Sequence, residues 1–118
     1  MEYGLLIDYR WCTGCHTCEI ACQQVHDLAP KKVGEQGERG IFPCEVGPYY
    51  LGNDKYQYEF VPIPTGHCDL CYERVKKGKQ PSCVKHCQAG CMYYGTVEEL
   101  AKKMTSSHMA LFSVTENL

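Results

Sequence analysis

Residues 12–22 read Cys12-Thr-Gly-Cys-His-Thr-Cys-Glu-Ile-Ala-Cys22, with four cysteines spaced Cys-x2-Cys-x2-Cys-x3-Cys. Gly14 can adopt backbone angles that other residues avoid, so the first three thiols can wrap around one small object. If a helix begins at Cys18, Cys22 lies on the same face but about 6 Å further along the axis, at roughly 1.5 Å per residue. We therefore expect three of these thiols to share one ligand and Cys22 to reach a neighbouring one.

A second cysteine group follows, in which Cys68-Asp-Leu-Cys71 is separated by eleven residues from Cys83-Val-Lys-His-Cys87. Its last two thiols lie one helical turn apart, as the last two of the first group do. The spacing of the first group is typical of cysteines that hold cubane iron–sulfur clusters in bacterial ferredoxins, where the last cysteine of a group binds the other cluster. Two such groups in one chain predict two [4Fe-4S] clusters as cofactors.

If the last cysteine of each group binds the cluster of the other group, each cluster has four cysteine ligands. Metal bonds would then tie the two halves of the chain together, so the metal-free protein is expected to be largely unfolded. Two thiols are left over: Cys44 has no assigned role, and Cys91 is interpreted as a small buried hydrophobe close to a cluster. The predicted ligands are Cys12, Cys15, Cys18 and Cys87 for the first cluster, and Cys68, Cys71, Cys83 and Cys22 for the second.

Other uses of cysteine fit the pattern less well. A secreted disulfide framework is a common use of many cysteines in a short chain, but the N-terminus, with its acidic Glu2 and very short apolar run, does not resemble a signal peptide. Structural zinc prefers two separated ligand pairs, which only the second cysteine group approaches. A Rieske centre needs two histidine ligands. His16, His67 and His86 lie beside cysteines, but thiolates already complete both sets, so we place these histidines around the ligands or on the surface.

Length and charge narrow the class of protein. With 118 residues the chain is expected to form one domain, a two-cluster unit over residues 1–118 with a loop and strand insertion at about 27–64. Its 12 basic and 14 acidic residues leave no basic stripe, so nucleic acid is not an expected partner. No apolar run approaches the roughly 20 residues that span a bilayer, so no membrane insertion is expected. The expected compartment is the cytoplasm, although export with a partner that carries a signal remains open.

Hydrophobic patterning predicts an α+β fold. Its strands are short and antiparallel, and a strand, a cysteine loop and a helix occur twice, as in the pseudo-twofold repeat of a two-cluster bacterial-ferredoxin-like fold. We expect Pro62 and Pro64 to mark the end of one strand and Thr96 to cap a helix. The predicted strands are residues 3–8, 56–61, 91–94 and 109–114, the predicted helices are 18–26 and 97–104, and 27–40 is a predicted loop.

The second cysteine group closely resembles the last cysteine group in the iron–sulfur electron-transfer (beta) subunits of molybdopterin oxidoreductases of the dimethyl sulfoxide reductase family. The first group is similar to the opening group of the same subunits. Typical members carry two further groups between these, which this chain lacks, so it resembles a minimal two-cluster form. Gln88 stands where the family usually has proline, and Cys91 where a small residue such as alanine is usual. The resemblance rests on His67-Cys68-Asp69-Leu70-Cys71, Arg74, Gly78, Pro81, Cys83-Val84 and Cys87.

This resemblance implies a non-catalytic subunit with no catalytic residues of its own. It would pass single electrons between a large molybdenum- or tungsten-pterin catalytic subunit and an external redox donor or acceptor. A free-standing ferredoxin and a structural zinc module are the alternatives. The tyrosine-rich segments 48–50 and 56–60 are candidates either for contact with the large subunit, because aromatic residues are enriched in interfaces, or for a packed covering of the clusters.

Overall fold

A computed structural model describes residues 3–26 and 40–113. These residues form both helices and strands, which confirms the predicted α+β class. In chain order the elements are β1 (Tyr3–Asp8), α1 (Thr17–His26), β2 (Ile41–Gly52), β3 (Lys55–Pro64), α2 (Tyr72–Lys76), α3 (Ser82–His86), β4 (Met92–Thr96), α4 (Val97–Lys102) and β5 (Met109–Ser113).

Strand β1 is the centre of an antiparallel sheet with the order β4-β1-β5. Leu5, Leu6 and Ile7 are all 0% exposed, so the strand is covered on both faces. Alternate side chains of a strand point to opposite faces, and the Leu5 and Ile7 face packs into the main core. Thiols supply half of the ten buried residues in that core, namely Cys18, Cys22, Cys68, Cys83 and Cys91.

Strands β2 and β3 form a separate two-stranded hairpin. Asn53 and Asp54 both have positive φ, at 53° and 60°, as a two-residue turn of type I′ requires. Pro43 pairs with Pro62, and the register continues to Pro64 opposite Ile41. Proline is tolerated here because each strand of a two-stranded sheet has an edge on which no backbone N–H is needed.

Most predicted elements are confirmed within two residues of their bounds, including β1, α1, β4 and β5. The predicted cap of α4 is also confirmed, since the Glu99 backbone N–H donates to Thr96 Oγ1 at 3.2 Å. Strand β3 extends beyond the predicted residues 56–61 and ends at Pro64, one of the two prolines expected to mark its end, because the hairpin edge accommodates Pro62. Strand β2 was not predicted. The predicted loop over residues 27–40 lies, except for Gly40, outside the described residues.

The predicted pseudo-twofold repeat stays a prediction. Each cysteine loop does follow a strand and precede a helix, as the repeat requires. The two leading strands, β1 and β3, nevertheless belong to different sheets. Among the described residues, no helix combines the length and apolar character needed to cross a bilayer.

We predict that Gly4→Ala destabilises the protein. Gly4 lies in β1 between β4 and β5, and a Cβ there would overlap the backbone carbonyl of Phe112. Moving that backbone should lower the free energy of unfolding by about 1–3 kcal/mol, the range for overpacking. Anaerobic denaturant titration of the metal-loaded protein, followed by far-ultraviolet circular dichroism, measures the change.

The matched control is Gly95→Ala, because Gly95 is the cross-strand partner of Gly4. A Cβ at Gly95 meets only side-chain atoms of Glu99 and Leu100, at 3.5 Å and beyond, which is ordinary contact. Equal destabilisation by the two substitutions would contradict the steric argument.

Candidate metal centre

The first cysteine loop depends on Gly14, as predicted. Its φ of +74° is a left-handed conformation that costs other residues energy. A Cβ at this position would also lie 2.9 Å from the ring of Phe60 in β3. Glycine therefore both turns the loop and lets the hairpin pack against it.

The structure brings Cys12, Cys15, Cys18 and Cys87 together around one cavity. Burial, with smaller contributions from the nearby thiols of Cys12, Cys87 and Cys15, raises the pKa of Cys18 to about 12. Burial likewise raises the pKa of Cys12, with Cys87 and Cys15 adding to it. These four thiols and Cys91 line the cavity. Cys87, from the second cysteine group, thus lies with three thiols of the first.

The other four predicted ligands form a second group. Burial, with smaller contributions from the thiols of Cys71 and Cys68, raises the pKa of Cys22 to about 12. Burial also raises the pKa of Cys83 well above its usual value, with contributions from Cys71, Cys68, Cys18 and Cys22. Because Cys83 is close to Cys18 as well as to its own group, the two thiol groups are neighbours.

Hydrogen bonds reach the sulfurs of both groups. The Cys15 thiol donates to Thr17 Oγ1 at 3.3 Å, and hydrogen bonding with Thr17 lowers the pKa of this exposed thiol. The Ser82 backbone N–H donates to Cys71 Sγ at 3.4 Å. Donors of this kind stabilise negative charge on sulfur, and they are one of the means by which proteins set cluster potentials.

These two groups fit the chemistry of iron–sulfur clusters. Burial and mutual repulsion oppose ionisation of four converging thiols, so a cation between them is what makes the thiolates stable. Four sulfur ligands suit iron–sulfur clusters or zinc. The ten cysteines all lie in the described ranges, and none forms a disulfide. The arrangement is the one that the predicted pairing requires, while the ligand assignment itself stays a prediction.

His26 is a neighbour of the second group that was not predicted from the sequence. Its Nε2 lies 3.4 Å from Cys71 Sγ and 3.4 Å from Asp69 Oδ1. A thiolate and a carboxylate only accept hydrogen bonds, so this nitrogen must be the donor when Cys71 is ionised. The sequence spacing could have predicted this position, because Cys18, Cys22 and His26 follow one another every four residues and so lie on one face of α1.

The three ligand atoms of His26, Asp69 and Cys71 lie within 4.8 Å of one another. Such a mixed set would also hold a single metal ion, which gives the zinc alternative a definite location. Two of the histidines named from the sequence have other partners. His16, which lines the first cavity, has its Nδ1 3.3 Å from Glu19 Oε1, and His86 Nδ1 lies 2.9 Å from the Ser82 carbonyl oxygen.

Cys91 is buried beside the first group, as expected. Its Sγ lies 3.6 Å from Cys87 Sγ. Burial raises its pKa well above the usual value, and the nearby thiols of Cys87 and Cys12 add to the shift. The first cavity is therefore lined by five thiols, where the cysteine spacing predicted four.

The β2–β3 hairpin divides into a covering base and an exposed tip. Pro43 and Pro62 are buried and line the first cavity, and Phe60 packs on Gly14. The base of the hairpin therefore covers the first cavity, whereas contact of the tyrosine-rich segments with a large subunit stays a prediction. The tip side chains are more than half exposed: Tyr49 57%, Tyr50 60%, Leu51 62%, Tyr56 67% and Tyr58 52%.

Comparison with known proteins agrees with this chemistry. Residues 48–97 match the family described as 4Fe-4S dicluster domain. The beta subunit of formate dehydrogenase 2 (cytochrome c-553) from Nitratidesulfovibrio vulgaris is 48% identical over 85% of this chain and 79% of the relative. YnfG from Escherichia coli K12, a probable anaerobic dimethyl sulfoxide reductase component, is 29% identical over 86% of this chain and 77% of the relative. These alignments span 174 and 158 positions, so both relatives contain residues that this 118-residue chain lacks.

We predict that His26→Ala lowers the reduction potential of the second cluster, because an N–H donor to sulfur stabilises the more negative, reduced state. A hydrogen bond with a net value of about 1 kcal/mol corresponds to roughly 40 mV for one electron. Potentiometric titration followed by electron paramagnetic resonance measures the shift.

The control is His16→Ala, which removes a histidine that contacts Glu19. His26→Gln, which restores an N–H donor, should recover part of the lost potential. An unchanged or raised potential in His26→Ala would contradict the hydrogen-bond role.

Proposed function

This chain belongs to the family of iron–sulfur electron-transfer subunits of molybdopterin oxidoreductases, and from this premise we propose that it connects a large molybdenum- or tungsten-pterin catalytic subunit to an external electron donor or acceptor. The observation that carries the proposal is the pair of neighbouring four-thiol groups, each drawing three cysteines from one half of the chain and one from the other. The chain transfers electrons through two [4Fe-4S] clusters and would itself catalyse no bond chemistry.

We assign the ligands of each cluster by the thiol groups. A bound [4Fe-4S] cluster supplies reversible one-electron chemistry at a potential set by hydrogen bonds, charge and burial. The protein's part is to hold the thiolates, donate hydrogen bonds to sulfur and keep water out. The proposed ligands are Cys12, Cys15, Cys18 and Cys87 for one cluster, and Cys68, Cys71, Cys83 and Cys22 for the other.

Buried side chains around the cavity support a dry first site. Pro43 and Pro62 form its hairpin wall, and Met92 at the start of β4 completes the apolar lining. Cys15 is the exposed thiol of this group, so the first site approaches solvent at the end of the loop. An electron entering or leaving there would cross little protein.

A single domain over residues 1–118, with residues 27–64 as an insertion, is part of the proposal. It is supported by β1 from the first half, which pairs with β4 and β5 from the second. We also propose a cytoplasmic location, because ten cysteines without a disulfide among them suit a reducing compartment.

We propose the tip of the hairpin as the surface that contacts the catalytic subunit. Its exposed aromatic side chains are of the type enriched in protein interfaces. Two of them, Tyr50 and Tyr56, make an edge-to-face aromatic contact across the strands, with ring centroids 5.1 Å apart. Because the base of the same hairpin packs on the first cavity, a partner at the tip would be tied to that site by a short, rigid element.

Anaerobic purification of the protein from its native source tests the function. We expect about eight irons and about eight acid-labile sulfides per chain, together with a larger pterin-containing protein that co-elutes. Dithionite reduction should give the paramagnetic resonance signals of reduced [4Fe-4S] clusters. One or two zinc ions without sulfide would overturn the assignment, and an iron–sulfur protein that elutes alone at its own mass would identify a free-standing ferredoxin.

Replacing Tyr49, Tyr50, Tyr56 and Tyr58 together with serine tests the contact surface. We expect co-purification with the catalytic subunit to fall at least tenfold, a loss of about 1.4 kcal/mol in binding, while iron content stays unchanged. Tyr93→Ser is the control, because Tyr93 is an exposed tyrosine on β4, which belongs to the other sheet. Unchanged co-purification of the fourfold variant would exclude the tip as the contact.

A further inference from the structure

The location of the Cys91 thiol is not explained by a role as a small buried hydrophobic residue. Its side chain is 2% exposed and lines the first cavity together with four proposed ligands. Its backbone carbonyl accepts the Asp8 N–H at 2.8 Å, and the next residue, Met92, pairs with Ile7 in the sheet. The backbone of Cys91 is therefore held beside the end of central strand β1, and its thiol reaches the cavity from there.

Cys87 reaches the same place from a different element. It follows the five-residue helix α3, is less buried than Cys91, and its carbonyl accepts the Gly90 N–H at 3.2 Å. Gly90 has a φ of +63°, which turns the chain back so that residues 87 and 91 face one another. Their sulfurs are 3.6 Å apart, well beyond the roughly 2.05 Å of a disulfide bond.

We propose that Cys91 is a fifth thiol ligand at the first cluster, so that either Cys87 or Cys91 can hold the fourth iron. The proposal rests on the function and ligand pairing given above. Two sulfurs this close, at the wall of one cavity, are both within reach of a metal bound beside either of them. The other three thiols, Cys12, Cys15 and Cys18, come from the first loop and would be unaffected by the exchange.

Replacement of Cys87 by Cys91 as the iron ligand needs no oxidant or reductant. Cys91 gives up its thiol proton as its sulfur binds iron, and Cys87 takes up one proton as its own sulfur is released. Charge and electrons are conserved on the protein. The consequence is a first site that keeps four ligands when the more exposed Cys87 is modified or displaced.

The second group offers a matched comparison. Cys22 is the counterpart of Cys87 there, since each is the one thiol of its group that comes from the other half of the chain. The remaining cysteine, Cys44, does not occur among the neighbours of either group in the described residues. We therefore expect that no other thiol replaces Cys22 as an iron ligand when Cys22 is removed.

The test compares Cys87→Ala, Cys91→Ala, the double variant and Cys22→Ala in the full chain, isolated anaerobically. Iron and acid-labile sulfide per chain are measured, and paramagnetic resonance is recorded on oxidised and reduced samples. We expect each single variant of the pair to keep about eight irons per chain, with an altered resonance of the reduced first cluster in Cys87→Ala. The double variant should lose about one iron and show the signal of an oxidised three-iron cluster.

Cys22→Ala alone should lose iron from the second cluster, because no spare thiol lies there. The second cluster's resonance serves as an internal check that the double variant is folded, and a double serine variant repeats the test with side chains closer in size to cysteine. Iron loss in Cys87→Ala or in Cys91→Ala equal to that of the double variant would overturn the proposal. Absence of iron and sulfide from the unmodified protein would instead overturn the proposed function.

Discussion

The exchange of one cysteine between the two halves of the chain is the constraint on which the structure depends. Cys22 leaves the first loop on α1 and lies with the thiols of the second, while Cys87 leaves α3 and lies with the thiols of the first. Helices α1 and α3 must pack side by side for both to occur, and the Ser82 hydroxyl, which donates to the Ala21 carbonyl at 3.5 Å, joins them. Each proposed metal site is therefore a long-range contact as well as a redox centre.

We expect a core built in this way to depend on its metal for stability. Thiols make up half of the buried residues of the core that contains Leu5 and Ile7. Burial raises the pKa of these cysteines and so opposes their ionisation when no cation is bound. Metal binding then supplies free energy that a larger hydrophobic core would otherwise provide. Central strand β1 is the main element that does not depend on metal, since residues 4–8 are buried and the strand joins both halves of the chain in one sheet.

The hairpin links the metal site to the protein's surroundings. Its base closes the first cavity through Pro43 and Pro62, and its tip presents tyrosines to solvent. The five thiols of that cavity and the imidazole at the second group make the two sites chemically different. Such differences in ligands and hydrogen bonds are the means by which a protein sets the order of potentials along an electron path.

Much of the site could be predicted from local sequence, because cysteine spacing within a loop or a helical turn limits which sulfurs can converge. The helix cap at Thr96 and the buried strand β1 were likewise predictable, since capping and hydrophobic patterning act over a few residues. Strand β2 was missed because its prolines argue against a strand, and only pairing in an isolated hairpin makes them acceptable.

The sequence by itself determined the two thiol sets, their exchange and the family. Only the tertiary structure decided that His26 lies against Cys71, that Cys91 faces Cys87, and that the hairpin covers one site with its base while exposing its tip. The physical reason is distance along the chain. Metal-ligand spacing is a local property, whereas a contact between α1 and the second cysteine loop, or the direction of a thiol at the end of a turn, depends on how separate elements pack.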